Sequence, residues 1–228
     1  MKQMKFFALV LTFLMGVSLT SCFDSGSSNN PDGSAFVTVY QSYLSYGVIL
    51  KTDDGYTLTP INPSALLLSD GKSYPERALV YYKFAEGEKF VQGKTSYNVS
   101  VEGGMGIEVK SFNNKPDTIK NDYNIIAMDL WHANGYVTVA SNFYYGGTVG
   151  FDFIQQKVGN DTLYVKFNYS KGGNAGYNNS GTTYVSLKLP SYIEDIQPKN
   201  DSIWVKVSAK GPNDETLVKK VRCKYDLY

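Results

Sequence analysis

Cysteine, histidine and arginine are nearly missing from this chain. Its 228 residues include 2 Cys and 1 His, and arginine occurs only at Arg77 and Arg222. Each scarcity excludes a class of chemistry. A cysteine nucleophile needs a histidine beside it, and only His132 is available. As a general base, His132 would need an orienting carboxylate. Asp129 is three residues away, and in a strand those positions face opposite ways. A zinc site draws three or four N, S or O ligands, which one His and one spare Cys do not supply in the usual sets. Arginine is preferred for bidentate clamps on phosphate or carboxylate, so anion recognition is poorly supplied. Charge of one sign is missing too: 22 basic residues face 21 acidic ones. That balance carries no basic footprint for nucleic acid. No P-loop, dinucleotide fingerprint or Gly-x-Ser-x-Gly elbow occurs. Asp152, Asp161, Asp201 and Asp214 lack calcium-loop spacing. Glu86, Glu88, Glu102 and Glu108 read as solvated edge charges. The expectation is a protein without catalytic residues, metal or cofactor, and without a nucleic-acid partner.

A long hydrophobic run is missing as well. Phe6 to Val17 is apolar but shorter than the roughly 20 residues that a membrane span needs. Lys2 and Lys5 precede it, and Leu19-Thr20-Ser21-Cys22 closes it with small residues before a cysteine. This is the pattern of a lipoprotein signal peptide over residues 1–21. Cys22 becomes the acylated N-terminus, with palmitate-type chains, and more than one chain makes the anchor stable. The membrane is then a partner through the lipid on Cys22. Cleavage removes two of the 22 basic residues and no acid, which leaves 20 against 21. Cys223 is left without a disulfide partner and reads as a small buried residue. Residues 22–34, rich in Ser, Asn and Gly, form a flexible tether. The expected location is the cell envelope, at the outer membrane.

What remains is all-β in character. The chain has 19 Tyr and 12 Phe, and short alternating runs recur between Gly, Asn, Asp and Pro clusters. Only Pro63 to Leu68 suggests a helical turn. Residues 35–114 predict an OB-like barrel. Its strands are Ala35–Gln41, Gly47–Lys51, Tyr56–Thr59 and Ala78–Phe84, then Tyr97–Glu102 and Ile107–Phe112 paired across Gly103-Gly104-Met105-Gly106. Asp53-Asp54-Gly55 is a hairpin signal. Asn113 to Asp117 marks a boundary. Residues 117–228 predict a β-sandwich of seven strands, with Asn134-Gly135 turning between the first two.

Two stretches carry a resemblance. Tyr46-Gly47-Val48-Ile49-Leu50-Lys51 runs into Asp53-Asp54-Gly55-Tyr56 and Thr57-Leu58-Thr59-Pro60. Asp129-Leu130-Trp131-His132-Ala133 runs through Asn134-Gly135 into Tyr136-Val137-Thr138-Val139. With the lipoprotein signal, this resembles the NigD-like lipoproteins of Gram-negative anaerobes. The resemblance implies an N-terminal OB-like domain and a C-terminal sandwich over nearly the whole mature chain. It also implies an immunity role linked to bacteriocin loci, and it brings no catalytic residues. The histidine that such proteins carry after the second hairpin is missing from Val149 to Phe153.

The expected function is therefore a non-enzymatic, lipid-anchored envelope protein. It binds an unidentified protein, peptide or glycan. The alternative is an accessory lipoprotein that binds or degrades glycans. Trp131, Tyr144, Tyr145, Tyr177 and Trp204 are the candidate ligand surface, although aromatics in an all-β protein also serve as half-buried sheet residues. Thr118, Thr162 and Ser202 follow Asp and precede an apolar residue. That matches the short O-glycosylation pattern of the same anaerobes, and Asp-Thr or Asp-Ser at a turn also has a structural logic.

Overall fold

The computed structural model describes residues 30–42, 47–113, 124–171 and 179–225. Cys22, Thr118 and Tyr177 lie outside them, as do most of the tether and most of the expected boundary at Asn113–Asp117. Among the described residues twelve strands run in order: β1 (Gly33–Ser42), β2 (Gly47–Thr52), β3 (Thr57–Pro60), β4 (Arg77–Phe84), β5 (Ser96–Lys110), β6 (Ile125–Ala133), β7 (Tyr136–Tyr145), β8 (Val149–Gly159), β9 (Thr162–Lys171), β10 (Asn179–Lys188), β11 (Ser202–Lys210) and β12 (Thr216–Lys224). Among the described residues, short 3₁₀ turns stand at Pro63–Leu66, between β3 and β4, and at Pro212–Asp214, between β11 and β12.

The first five strands close on themselves. β1 pairs with β2 and β4, β2 with β3, β4 with β5, and β3 runs parallel to β5. This is the five-stranded barrel expected of an OB-like fold. Alternation drives it: Val48, Leu50 and Thr52 of β2 point inward while the residues between them face out. Val37, Leu50, Leu58, Val80 and Val99 fill its core, each essentially without solvent contact. Each such side chain contributes about 1.5–3 kcal/mol.

One expectation is corrected. The Gly103–Gly106 stretch is no turn, because β5 runs unbroken from Ser96 to Lys110. Gly104 serves close approach instead. A Cβ on Gly104 would sit 2.5 Å from the Leu79 carbonyl oxygen. The β4–β5 register shifts between Tyr81 and Tyr82. That bulge bends the long strand as barrel closure requires.

β5 then leaves the barrel. Its last residues, Glu108 to Lys110, pair in parallel with β10. β10, β7 and β6 continue that sheet, and β12-β11-β9-β8 form a second one packed over it. Val137, Val139, Val185 and Leu187 from the first face Leu163, Val165, Phe167, Val205 and Val207 from the second. Phe151 and Phe167 stack with ring centroids 5.4 Å apart. Phe112 forms a parallel bridge to Phe153, and the Asn113 N–H donates to the Phe153 carbonyl at 2.8 Å. Edge strand β8 is thereby partly covered. The chain is all-β, an OB-like barrel joined to a sandwich.

Candidate functional site

The densest polar constellation lies where the barrel meets the sandwich. Phe36 of β1 packs its ring 4.9 Å from both Trp131 of β6 and Tyr184 of β10. Beside this apolar patch sits Arg77, fully buried. Its guanidinium donates to both Asp53 carboxylate oxygens, at 2.5 and 2.7 Å. It also donates to Thr38 at 2.9 Å and Thr138 at 3.0 Å. Trp131 Nε1–H donates to Asp53 at 2.6 Å. Thr138 and Ser186 share a hydrogen bond of 2.9 Å. At the rim, Tyr136 donates to Glu76 at 2.9 Å and Lys188 meets the same carboxylate at 3.0 Å. The Lys188 ammonium holds the Glu76 carboxyl below its ordinary range, against partial burial. Burial and the Glu76 contact push the Tyr136 phenol well up. The hairpin Asp53-Asp54-Gly55 thus does more than turn: Asp53 clamps the two halves together.

His132 borders this cluster, half-buried. Burial holds its pKa down; Asp53 opposes that and Arg77 adds to it. Asp129 accepts instead from the Leu130 N–H at 2.8 Å and lies 3.9 Å from Lys219. Cys223 is buried, and burial pushes its thiol up to about 12. Among the described residues no group of three His, Cys, Asp or Glu comes together that could hold a metal ion.

The expected aromatic surface is dispersed. Trp131 is taken up between barrel and sandwich. Tyr144 is exposed at the end of β7, whereas its neighbour Tyr145 packs against Phe143. Trp204 is on the other sheet, on β11, with the Lys220 ammonium 4.7 Å from its ring centroid. It borders a pocket of about 230 Å³ shared with Asp161, Lys199, Ser202 and Arg222. Thr162 and Ser202 are brought close here, because the Trp204 N–H donates to the Asp161 carbonyl at 2.8 Å and Trp204 pairs with Thr162. Thr162 donates to the Asp161 carboxylate at 2.9 Å, and Ser202 to the Asn200 carbonyl at 2.9 Å.

Sequence reasoning missed the outward face of the second sheet. Lysines that are scattered along the chain gather there on β9, β11 and β12. The signal lay in their even spacing along β11 and β12, which net charge conceals.

This architecture has known counterparts. A NigD-like immunity protein from Bacteroides caccae aligns with a TM-score of 0.53 at 17% identity, over 86% of this chain and 94% of that one. The two share a fold. A candidate toxin-related protein from Parabacteroides distasonis aligns with a TM-score of 0.61 at 19% identity, over 86% of this chain and 93% of the other. A candidate lipoprotein from Bacteroides fragilis aligns with a TM-score of 0.61 at 10% identity, over 85% and 98%. The resemblance to NigD-like proteins is thus borne out as a likeness of fold. No protein-family model matches the chain, and neither does any curated protein.

Proposed function

We propose that this chain is a lipid-anchored, non-catalytic protein of the cell envelope that acts by binding a partner. The reading rests on Leu19-Thr20-Ser21-Cys22, followed by a tether that leads into β1. The fold likeness to an immunity protein and to a candidate lipoprotein supports it. So does the use made of the buried Asp53 carboxylate, which is engaged through Arg77 and Trp131 in joining the barrel to the sandwich. The NigD-like likeness gives the role its form, an immunity-type function toward a bacteriocin at the outer membrane. Capture of partners from envelope extracts tests this, with the urea-unfolded chain as control. A component retained by the native chain and lost by the control supports the reading; identical recovery from both counts against it.

A second reading, an accessory lipoprotein that binds glycans, is favoured by one observation: the lysine-rich outer face of the sandwich.

A further inference from the structure

Strand pairing gathers lysines that are scattered in sequence. Along β9, β11 and β12, alternate residues feed the core and the rest face outward. The outward set includes Lys166, Lys206, Lys210, Lys220, Arg222 and Lys224. No outward position on these three strands carries a carboxylate. Register lines them up: Lys220 stands opposite Lys206, Lys206 opposite Tyr164, and Tyr164 opposite Lys157 of β8. With strands about 4.8 Å apart, that row crosses about 14 Å. A second row follows with Arg222, Trp204 and Thr162. Acids stand at the margins: Asp161 in the β8–β9 turn, Asp152 on β8 near Lys110, Asp201 just before β11, and Asp214 and Glu215 just before β12.

The rings act as posts for the ammonium groups. Lys157 and Lys206 lie 4.6 and 5.6 Å from the Tyr164 centroid, and Lys220 lies 4.7 Å from that of Trp204. Burial, and then the charge of Lys210, hold the Lys166 pKa below its ordinary value. Like charges directly opposite on paired strands destabilise a sheet. Lys206 beside Lys220 therefore works against folding, and a ligand of opposite charge accounts for the arrangement.

We propose that this face docks a linear acidic polysaccharide bearing uronate or sulfate groups along the lysine rows. Charge complementarity calls for a polyanion, and three features select the kind. Lysine is depleted from the cores of protein–protein interfaces, where its side-chain freedom is lost. A flexible polyanion lets lysines keep that freedom while counterions are released. A membrane surface is disfavoured by the position of the tether. Asp32 N–H donates to the Tyr82 carbonyl at the barrel, and the barrel packs on the opposite sheet through Phe36, Trp131 and Tyr184. A single-stranded nucleic acid would need open ring faces for stacking, and the protein's own ammonium groups already lie over Tyr164 and Trp204. The choice of a glycan over a duplex rests on the envelope location proposed above.

Titration of the chain lacking residues 1–22 tests this; the deletion takes no residue from either core. The probes are polygalacturonate, heparin, neutral dextran, duplex DNA and phosphatidylglycerol vesicles, at low and physiological salt. Polygalacturonate or heparin binds, dextran does not, and affinity falls steeply with salt. Lys206→Glu/Lys220→Glu weakens binding at least about tenfold with an unchanged melting temperature, whereas Lys89→Glu on the barrel leaves it unaltered. Three results overturn the proposal: no binding to either acidic glycan, equal binding by the double variant, or DNA or vesicle binding as tight as that of the glycans. Failure here leaves the lipid anchor on Cys22 standing, since acylation is read separately.

Discussion

Asp53→Ala removes the carboxylate that both Arg77 and Trp131 use. Arg77 has no solvent contact and Asp53 is only 10% exposed, so the charge left behind stays largely shielded from solvent. Breaking a buried ion pair from one side costs about 3–5 kcal/mol, because the remaining charge stays buried. The Trp131 indole N–H also loses its 2.6 Å acceptor, and an unpaired buried donor costs about 1–3 kcal/mol. The two losses share one carboxylate and overlap, so about 4 kcal/mol is expected in total. For a chain of this size each kcal/mol moves the melting temperature by about 2–4 °C, which gives about 8–16 °C. Urea unfolding followed by tryptophan fluorescence measures it, in a Trp204→Phe background so that Trp131 is the sole reporter. Asp53→Asn keeps the shape and one acceptor and should lose less. A loss below about 1 kcal/mol for Asp53→Ala, with Trp131 emission unchanged, would refute the clamp.

Four further outcomes follow from the structure. Gly104→Val should destabilise by about 2 kcal/mol or more, visible in calorimetry, because its Cβ meets the Leu79 carbonyl at 2.5 Å. Gly135→Ala should cost about 1 kcal/mol in the same assay, since Gly135 turns the β6–β7 hairpin at φ +84° with nothing crowding its Cβ. His132 is held below its unfolded value of 6.5, so its contribution is present above that pH and is lost as pH falls through the folded value; His132→Gln should flatten the acid side of a stability–pH curve. Cys223, raised to about 12, contributes stability below its unfolded value that is lost as pH rises toward 12. It should resist Ellman's reagent until the chain unfolds.

Much of the fold was legible because alternation is a local signal. β2 and β4 stand within a residue of their expected bounds, since inward residues recur at every second position, Val48, Leu50 and Thr52 on one and Ala78, Val80 and Tyr82 on the other. Gly103–Gly106 was misleading because glycine serves two purposes. It permits a turn, and it permits a carbonyl to come within a Cβ's reach. Asp53 read as a hairpin residue because its partners lie 24 and 78 positions away, a separation no local pattern reports. The dispersal of the candidate aromatics was hidden for a related reason. Trp131 and Trp204 look alike in sequence, yet one is held against Phe36 and the other lies under Lys220. Net charge hid the basic face because pairing of β11 with β12, not composition, brings Lys206 and Lys220 together.

Whether this protein works from a lipid anchor is decided by metabolic labelling with radioactive palmitate in an anaerobic Gram-negative host. The full chain should carry label and sediment with the envelope, and Cys22→Ala should lose both properties. An unlabelled full chain, or a Cys22→Ala form labelled and sedimented as before, would contradict the account.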